Sequence, residues 1–187
     1  MKNERKLVLF IAQSLDGYIA TKDDSLDWLF DVEGEGDNGY SEFYEQVDTI
    51  LMGKRTYDWI MNQENGKFPY PNKQCYVFTR TPIQDTENVK FVNGDIPTFT
   101  NDLKNEEGQN IWIVGGGDLL HTFFKENLVD ELIITIAPKI IGDGIPLFKA
   151  DQYHTDLNLN YIFFSNIILL IFFPSLIILH IKSKTER

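Results

Sequence analysis

At 187 residues, with 43% hydrophobic and 24% charged content, the chain has the length and composition of one soluble globular domain able to bury a core. A formal net charge of −11 excludes the basic face that nucleic-acid binding requires, so no nucleic-acid partner is expected. Cys75, the single cysteine, excludes an intramolecular disulfide, and no Cys/His cluster has zinc-ligand spacing, so no metal is expected.

The chain opens on a charged stretch followed by a short apolar run, KLVLFIAQ (6–13), without a small-residue cleavage site. It reads as a first strand and not as a signal peptide, and a cytoplasmic location is the expectation. Ten carboxylates and no Lys or Arg then fall between Asp23 and Asp48, which reads as a solvated loop-and-helix face. Within that stretch GEGDNG (34–39) matches the spacing of a dinucleotide-binding glycine loop. It follows no strand, and its own acids would repel a pyrophosphate, so it reads as a flexible loop. Further strands are expected at 47–52, 74–79, 89–92, 110–114 and 130–137, several of them apolar on both faces. Helices are expected at 40–46, 54–61, 99–106 (after Pro97) and 117–126. This alternation is the pattern of an α/β fold, helices covering a mostly parallel sheet.

From Leu157 to Ile181 no charged residue occurs. Ser165-Asn166 and Pro174-Ser175 divide this stretch into pieces of strand length, and the reading favoured is two buried strands joined at Ser165-Asn166. A membrane tail anchor and an altered C-terminus from a shifted reading frame are the alternatives. The expected division is a domain over 1–173 and an atypical C-terminal extension over 174–187.

Three strand ends carry residues suited to an anion. MGKRTYDW (52–59) puts Gly53 at the end of a strand and Lys54, Arg55 and Thr56 at a helix start, where backbone N–H groups attract negative charge. CYVFTR ends in Thr79 and Arg80. IWIVGGGDLL turns through Gly115, Gly116 and Gly117 into Asp118 and Leu119, again strand to helix. In an open α/β sheet ligands bind beyond the carboxyl ends of the strands, so three such ends point to a nucleotide.

SLDGYIA, MGKRTYDW, VFTR, VGGGDLL and DELIITIAPKIIGDGIPLF, in this order, resemble the dihydrofolate reductase-like superfamily. The branch they are most similar to is the reductase domain of bacterial riboflavin biosynthesis, and the resemblance covers residues 6–173. It implies a mixed, mainly parallel sheet of about eight strands with flanking helices and antiparallel C-terminal strands. It also implies NADPH as cofactor and hydride transfer to a small heterocyclic, carbonyl or imine substrate, including a ribosylaminopyrimidine. Carried over, Gly53, Lys54, Arg55 and Thr56 meet the cofactor phosphates, Thr79 and Arg80 the adenosine 2′-phosphate, and Gly115, Gly116, Gly117, Asp118 and Leu119 the pyrophosphate. Ala12 and Ile19 lie at the nicotinamide end. Thr135 contacts the substrate region and Trp28 lines it. A homodimer is the expected assembly.

The chain departs from that family in its acid. Dihydrofolate reductases place one carboxylate on the helix after the nicotinamide loop, whereas DWLFDVEGEGD offers Asp27, Asp31 and Glu33 without a clean match, and Asp16 is an equal candidate. The deaminase motifs of the bifunctional riboflavin enzymes do not occur. The alternatives to a reductase of this branch are therefore a catalytically silent nucleotide-binding protein of the same fold, and dihydrofolate reductase proper.

Overall fold

The computed structural model describes residues 5–32, 36–151, 154–164 and 177–183. Ten strands and five helices are present among them: β1 (Leu7–Ser14), β2 (Tyr18–Ala20), α1 (Asp27–Phe30), α2 (Tyr40–Glu45), β3 (Val47–Gly53), α3 (Lys54–Gln63), β4 (Gln74–Phe78), β5 (Val89–Val92), α4 (Ile96–Asn105), β6 (Asn110–Gly115), α5 (Gly117–Lys125), β7 (Glu131–Ala137), β8 (Ile145–Pro146), β9 (Leu157–Phe164) and β10 (Ile177–Ser183).

Eight strands form one sheet in the order β5-β4-β3-β6-β1-β7-β10-β9, while β2 and β8 pair in a small second sheet. The pairings from β5 to β7 are parallel; β10 runs antiparallel to both β7 and β9. The expected mixed, mainly parallel sheet with antiparallel C-terminal strands is what the chain builds.

Parallel strands covered on both faces need apolar residues at nearly every position, and β1, β3 and β6 have them. Leu7 and Leu9 of β1 face a core shared with Leu120, Phe123 and Phe124 of α5 and Leu103 of α4. Val8 faces the opposite core, shared with Phe43 of α2 and Ile60 of α3. There Trp112 is met edge-on by Tyr40, Phe43, Tyr44 and Tyr70. Tyr57 and Trp59 pack against this core, as aromatic positions on an amphipathic helix should.

At the opposite end of the sheet from the strand carboxyl ends, Arg5 is buried and fully engaged. It pairs with Asp48 and donates to Thr49 Oγ1 at 2.6 Å, to the Gln109 carbonyl at 2.8 Å and to the Leu103 carbonyl at 3.2 Å. One guanidinium thus joins β3 to α4 and to the loop that leads into β6. Burial works to raise the Asp48 carboxyl, but the Gln109 N–H, the Thr49 hydroxyl and Arg5 together hold it below the usual carboxylate range.

Several elements differ from expectation. Helix α4 begins at Ile96 and takes Pro97 into its first turn, where the missing N–H costs nothing; Asp95 caps it by accepting from the Thr98 N–H at 2.9 Å. The short β2, β8 and α1 have too few residues to show a period. The last strand is Ile177–Ser183, past Phe173, where the sequence placed the end of the domain; the expected hinge at Ser165-Asn166 and the run Ile167–Phe173 lie outside the described residues. β9 was expected to be buried, yet Leu157, Leu159, Tyr161 and Ile162 are exposed, because β9 is the outer strand of the sheet. No helix among the described residues is long and apolar enough to cross a membrane.

Candidate active site

The carboxyl ends of β4, β3 and β6 lie side by side. Gly53 pairs with Phe78, the residue before Thr79, and Met52 pairs with Gly115. The chain leaves β3 directly into α3 and β6 almost directly into α5, so two helix starts converge there. Neither has a side-chain cap among the described residues. A Cβ built on Gly116 would stand 3.0 Å from Thr56 Oγ1, which measures how closely the α5 corner approaches α3.

The three glycines have separable reasons. Gly115 and Gly116 have φ of 133° and 100°, values that side chains rarely adopt. Gly117 is helical, but a Cβ there would press to 3.0 Å on Ile145 Cγ2 of β8. Fold geometry alone therefore explains the triplet. Beside Gly115 the space is open, with no atom within 4 Å of where its Cβ would lie, so the backbone is approachable there.

The cations at this corner are held by acids. Arg55 makes a bidentate pair with Asp24 at 2.6 and 2.8 Å, tying the segment after β2 to α3. Lys54 pairs with Asp58 one turn on. Asp118 pairs with Lys149; that bond chiefly, with Arg80 and Arg55 adding to it, holds its carboxyl below the ordinary range. Both arginines thus bear electrostatically on the start of α5. The Thr79 hydroxyl is spent on Thr81, donating to its carbonyl at 2.9 Å and accepting from its N–H. Leu119 is buried in the core beneath Gly53, and Ile19 packs on the same core.

Next along the sheet, beyond β1, lies a cavity of about 270 Å³ lined by Phe10, Ala12, Leu29, Val32, Asp37, Asn38 and Thr135. Ala12 and Thr135 are register partners on β1 and β7 and form its floor. Leu29 of α1, with Val32 after it, supplies the wall. Trp28, expected to line this region, is not among the lining residues, and its Nε1 is buried with no hydrogen-bond partner among the described residues. Gln13 Oε1 and Asn38 Oδ1 are buried and unpartnered as well. Each such group costs about 1–3 kcal/mol and calls for an explanation.

The candidate acids are engaged elsewhere. Asp16 accepts from the Gly142 N–H at 2.7 Å and the Ile141 N–H at 3.3 Å; its carboxyl is held low by the Ser14 hydroxyl first and these N–H groups next, burial opposing. It staples the β1–β2 turn to the loop before β8. Asp27 and Asp31 are exposed, and Glu33 lies outside the described residues. Asp37, which the sequence did not single out, reaches the cavity but accepts from Gly39 and Ser41 N–H groups at 3.1 and 2.7 Å. The Ser41 side chain is the main cause holding its carboxyl low. Asn38 was missed too. Its signal was the Asn-Gly pair inside GEGDNG, a turn pair that tolerates the left-handed region, and both residues do have positive φ.

Comparison with known proteins places this geometry. A family model described as the RibD C-terminal domain matches residues 5–163. The chain belongs to that family. It is 52% identical over 158 residues to the uncharacterized protein YwjB of Bacillus subtilis, covering 83% of this chain and 90% of that one. It is 34% identical to the uncharacterized protein YyaP of the same organism, covering 78% and 81%. A crystal structure from Shewanella sp. PV-4, provisionally named a riboflavin biosynthesis protein, superposes with a TM-score of 0.81 at 31% identity, covering 96% of this chain and 99% of its own. Dihydrofolate reductase from Enterococcus faecalis, solved with NADP(H) and RAB-propyl, superposes at 0.68 with 12% identity over 96% and 97%, a likeness of fold alone. Within the RibD C-terminal domain family, the corner formed by α3 and α5 and the cavity beside β1 are this chain's two candidate subsites.

Proposed function

We propose that the protein is an NADPH-dependent reductase of a small heterocyclic, carbonyl or imine substrate, a ribosylaminopyrimidine being the first to try. One observation carries this reading. Two uncapped helix starts and two arginines meet at adjacent strand ends, and a cavity lined by both polar and apolar groups opens beside them on the same sheet. The donors suit a pyrophosphate: backbone N–H groups of α3 and α5, the open backbone at Gly115, and the Thr56 hydroxyl. Arg80, beyond the end of β4, suits a further phosphate on the ribose, where a planar fork of donors matches the anion. NADPH bound there supplies a hydride.

The chain's own residues would do the rest. Ala12 and Thr135 set the depth of the substrate, and Phe10, Leu29 and Val32 exclude water from its reacting face. Asp16 and Asp37 accept hydrogen bonds that hold their carboxyls below the ordinary range, which favours water over either acid as the proton source. That same observation favours a second reading, a nucleotide-binding protein without turnover. Oxidation of NADPH, followed at its absorbance band with a panel of aminopyrimidines, pterins and small carbonyls, decides between them. The first reading expects turnover with at least one member; binding without turnover supports the second.

Arg80→Ala should weaken NADPH by about 10- to 100-fold, the loss of one charge-assisted contact, while leaving NADH nearly unchanged. Equal losses for both would remove Arg80 from the site.

A further inference from the structure

The carboxyl edge of the sheet changes electrostatic sign along its length. Over β3, β4 and β6 it is cationic, with Arg55 and Arg80 both acting on the start of α5. Beside β1 it is anionic. The cavity there is walled by Leu29 of α1, by Val32 and by the turn of Gly36 to Asn38. All of these belong to the stretch from Asp23 to Asp48, which holds ten carboxylates and no Lys or Arg. The flanking cations are engaged elsewhere, Lys22 with Asp143 and Arg55 with Asp24. Asp37 is the one ionisable side chain among the described residues that line the cavity, and it is exposed. The Ser41 side chain first, with the Ser41 and Gly39 N–H groups after it, holds its carboxyl below the ordinary range, so its charge is in place at neutral pH. Asp27 on α1 and Asp31 just before Val32 are exposed and add to the same field.

We propose that Asp37 is a specificity-determining residue that selects by charge: the cavity takes a ring bearing amino groups or a positive charge and turns away one bearing a phosphate or carboxylate. Like charges repel most where salt does not screen them, within a Debye length of about 8 Å at physiological strength, and a ligand in the cavity touches the wall that carries Asp37. An amino-substituted ring gains instead. A carboxylate accepts at about four lone-pair sites, and the turn before α2 uses only two of them. The inference rests on the reductase reading for the cavity being the substrate's, and it narrows that reading: a ribosylaminopyrimidine enters without a phosphate.

The test is a ligand-observed NMR titration of the full chain with three probes of similar size, the cation benzylamine, the neutral benzyl alcohol and the anion phenylacetate. Wild type is compared with Asp37→Asn, which removes the charge and keeps an oxygen for the turn. Asp37→Ser, whose hydroxyl serves the same turn, stands in if the first variant does not fold. Wild type should bind benzylamine tighter than phenylacetate by about tenfold or more, and the variant should cut that ratio by about fivefold or more, with benzyl alcohol unchanged. Equal binding of cation and anion, no binding of any probe to wild type, or a ratio the variant leaves unchanged overturns the inference. NADPH affinity, read in parallel, separates the two claims. The charge preference without NADPH binding leaves the cavity's selectivity standing and removes the reductase reading; NADPH binding without the charge preference does the reverse.

Discussion

At the scale of single residues, the corner between β6 and α5 shows how backbone and packing demand one residue type. Gly116→Ala forces a side chain onto φ of 100° and to 3.0 Å from Thr56 Oγ1. It should destabilise by more than about 1 kcal/mol, a drop in Tm of about 2–4 °C or more for a domain of this size. Gly117→Ala keeps a helical backbone and meets only the end of Ile145, so its thermal melt should shift less. Asp48 makes a pH prediction. Its folded carboxyl lies below the ordinary range, so its contribution to stability is present above about pH 4, the unfolded value, and is lost as pH falls through the folded one. Asp48→Asn should therefore be less stable than wild type at neutral pH and converge on it in acid, measured by urea unfolding across pH 2–7. Cys75 is buried, which pushes its thiol up to about 12, so it should resist Ellman's reagent at pH 8 until the protein unfolds.

At the scale of elements, the contacts around the corner set the terms on which it would bind an anion. The segment after β2 is tied to α3 through Asp24 and Arg55, the segment after β8 to α5 through Lys149 and Asp118. A phosphate seeking Arg55 must displace Asp24. That pair is exposed, worth at most about 1 kcal/mol, so Asp24→Asn should tighten NADPH by no more than about fivefold. The gain should shrink in 0.5 M salt, where screening has already loosened the pair. No gain at low salt would show that Arg55 does not meet the cofactor. At the far edge, β9 offers the exposed Leu157, Leu159 and Ile162 on the outer strand of the sheet. We propose a homodimer, for which light scattering should give twice the chain mass of 21.7 kDa; a monomer at micromolar concentration contradicts it.

At the scale of the whole molecule, the sheet was legible because its strands are long, apolar runs separated by helices with clear periods; β1, β3, β6 and β7 fall within a residue or two of their expected bounds. β2, β8 and α1 were not, since two to four residues carry no period and their pairing is decided by distant chain. The strand ends at Gly53, Thr79 and Gly115 could be read as neighbours because parallel order brings them together. The cavity could not: Phe10 reads as strand, Leu29 and Val32 as loop, and only the fold sets them against Thr135. Asn38 hid in a glycine-rich segment that looked merely flexible.

The central claim is that the α3–α5 corner binds a phosphorylated dinucleotide. The most direct measurement is a fluorescence titration of the full chain with NADPH and with NADH, using Trp28, Trp59 and Trp112 as reporters. Saturable binding of NADPH, tighter than NADH by about tenfold or more, is the predicted result. Binding of neither, or equal affinity for both, would mean that the glycine corner is a turn and no more, and that Arg55 serves only its pair with Asp24.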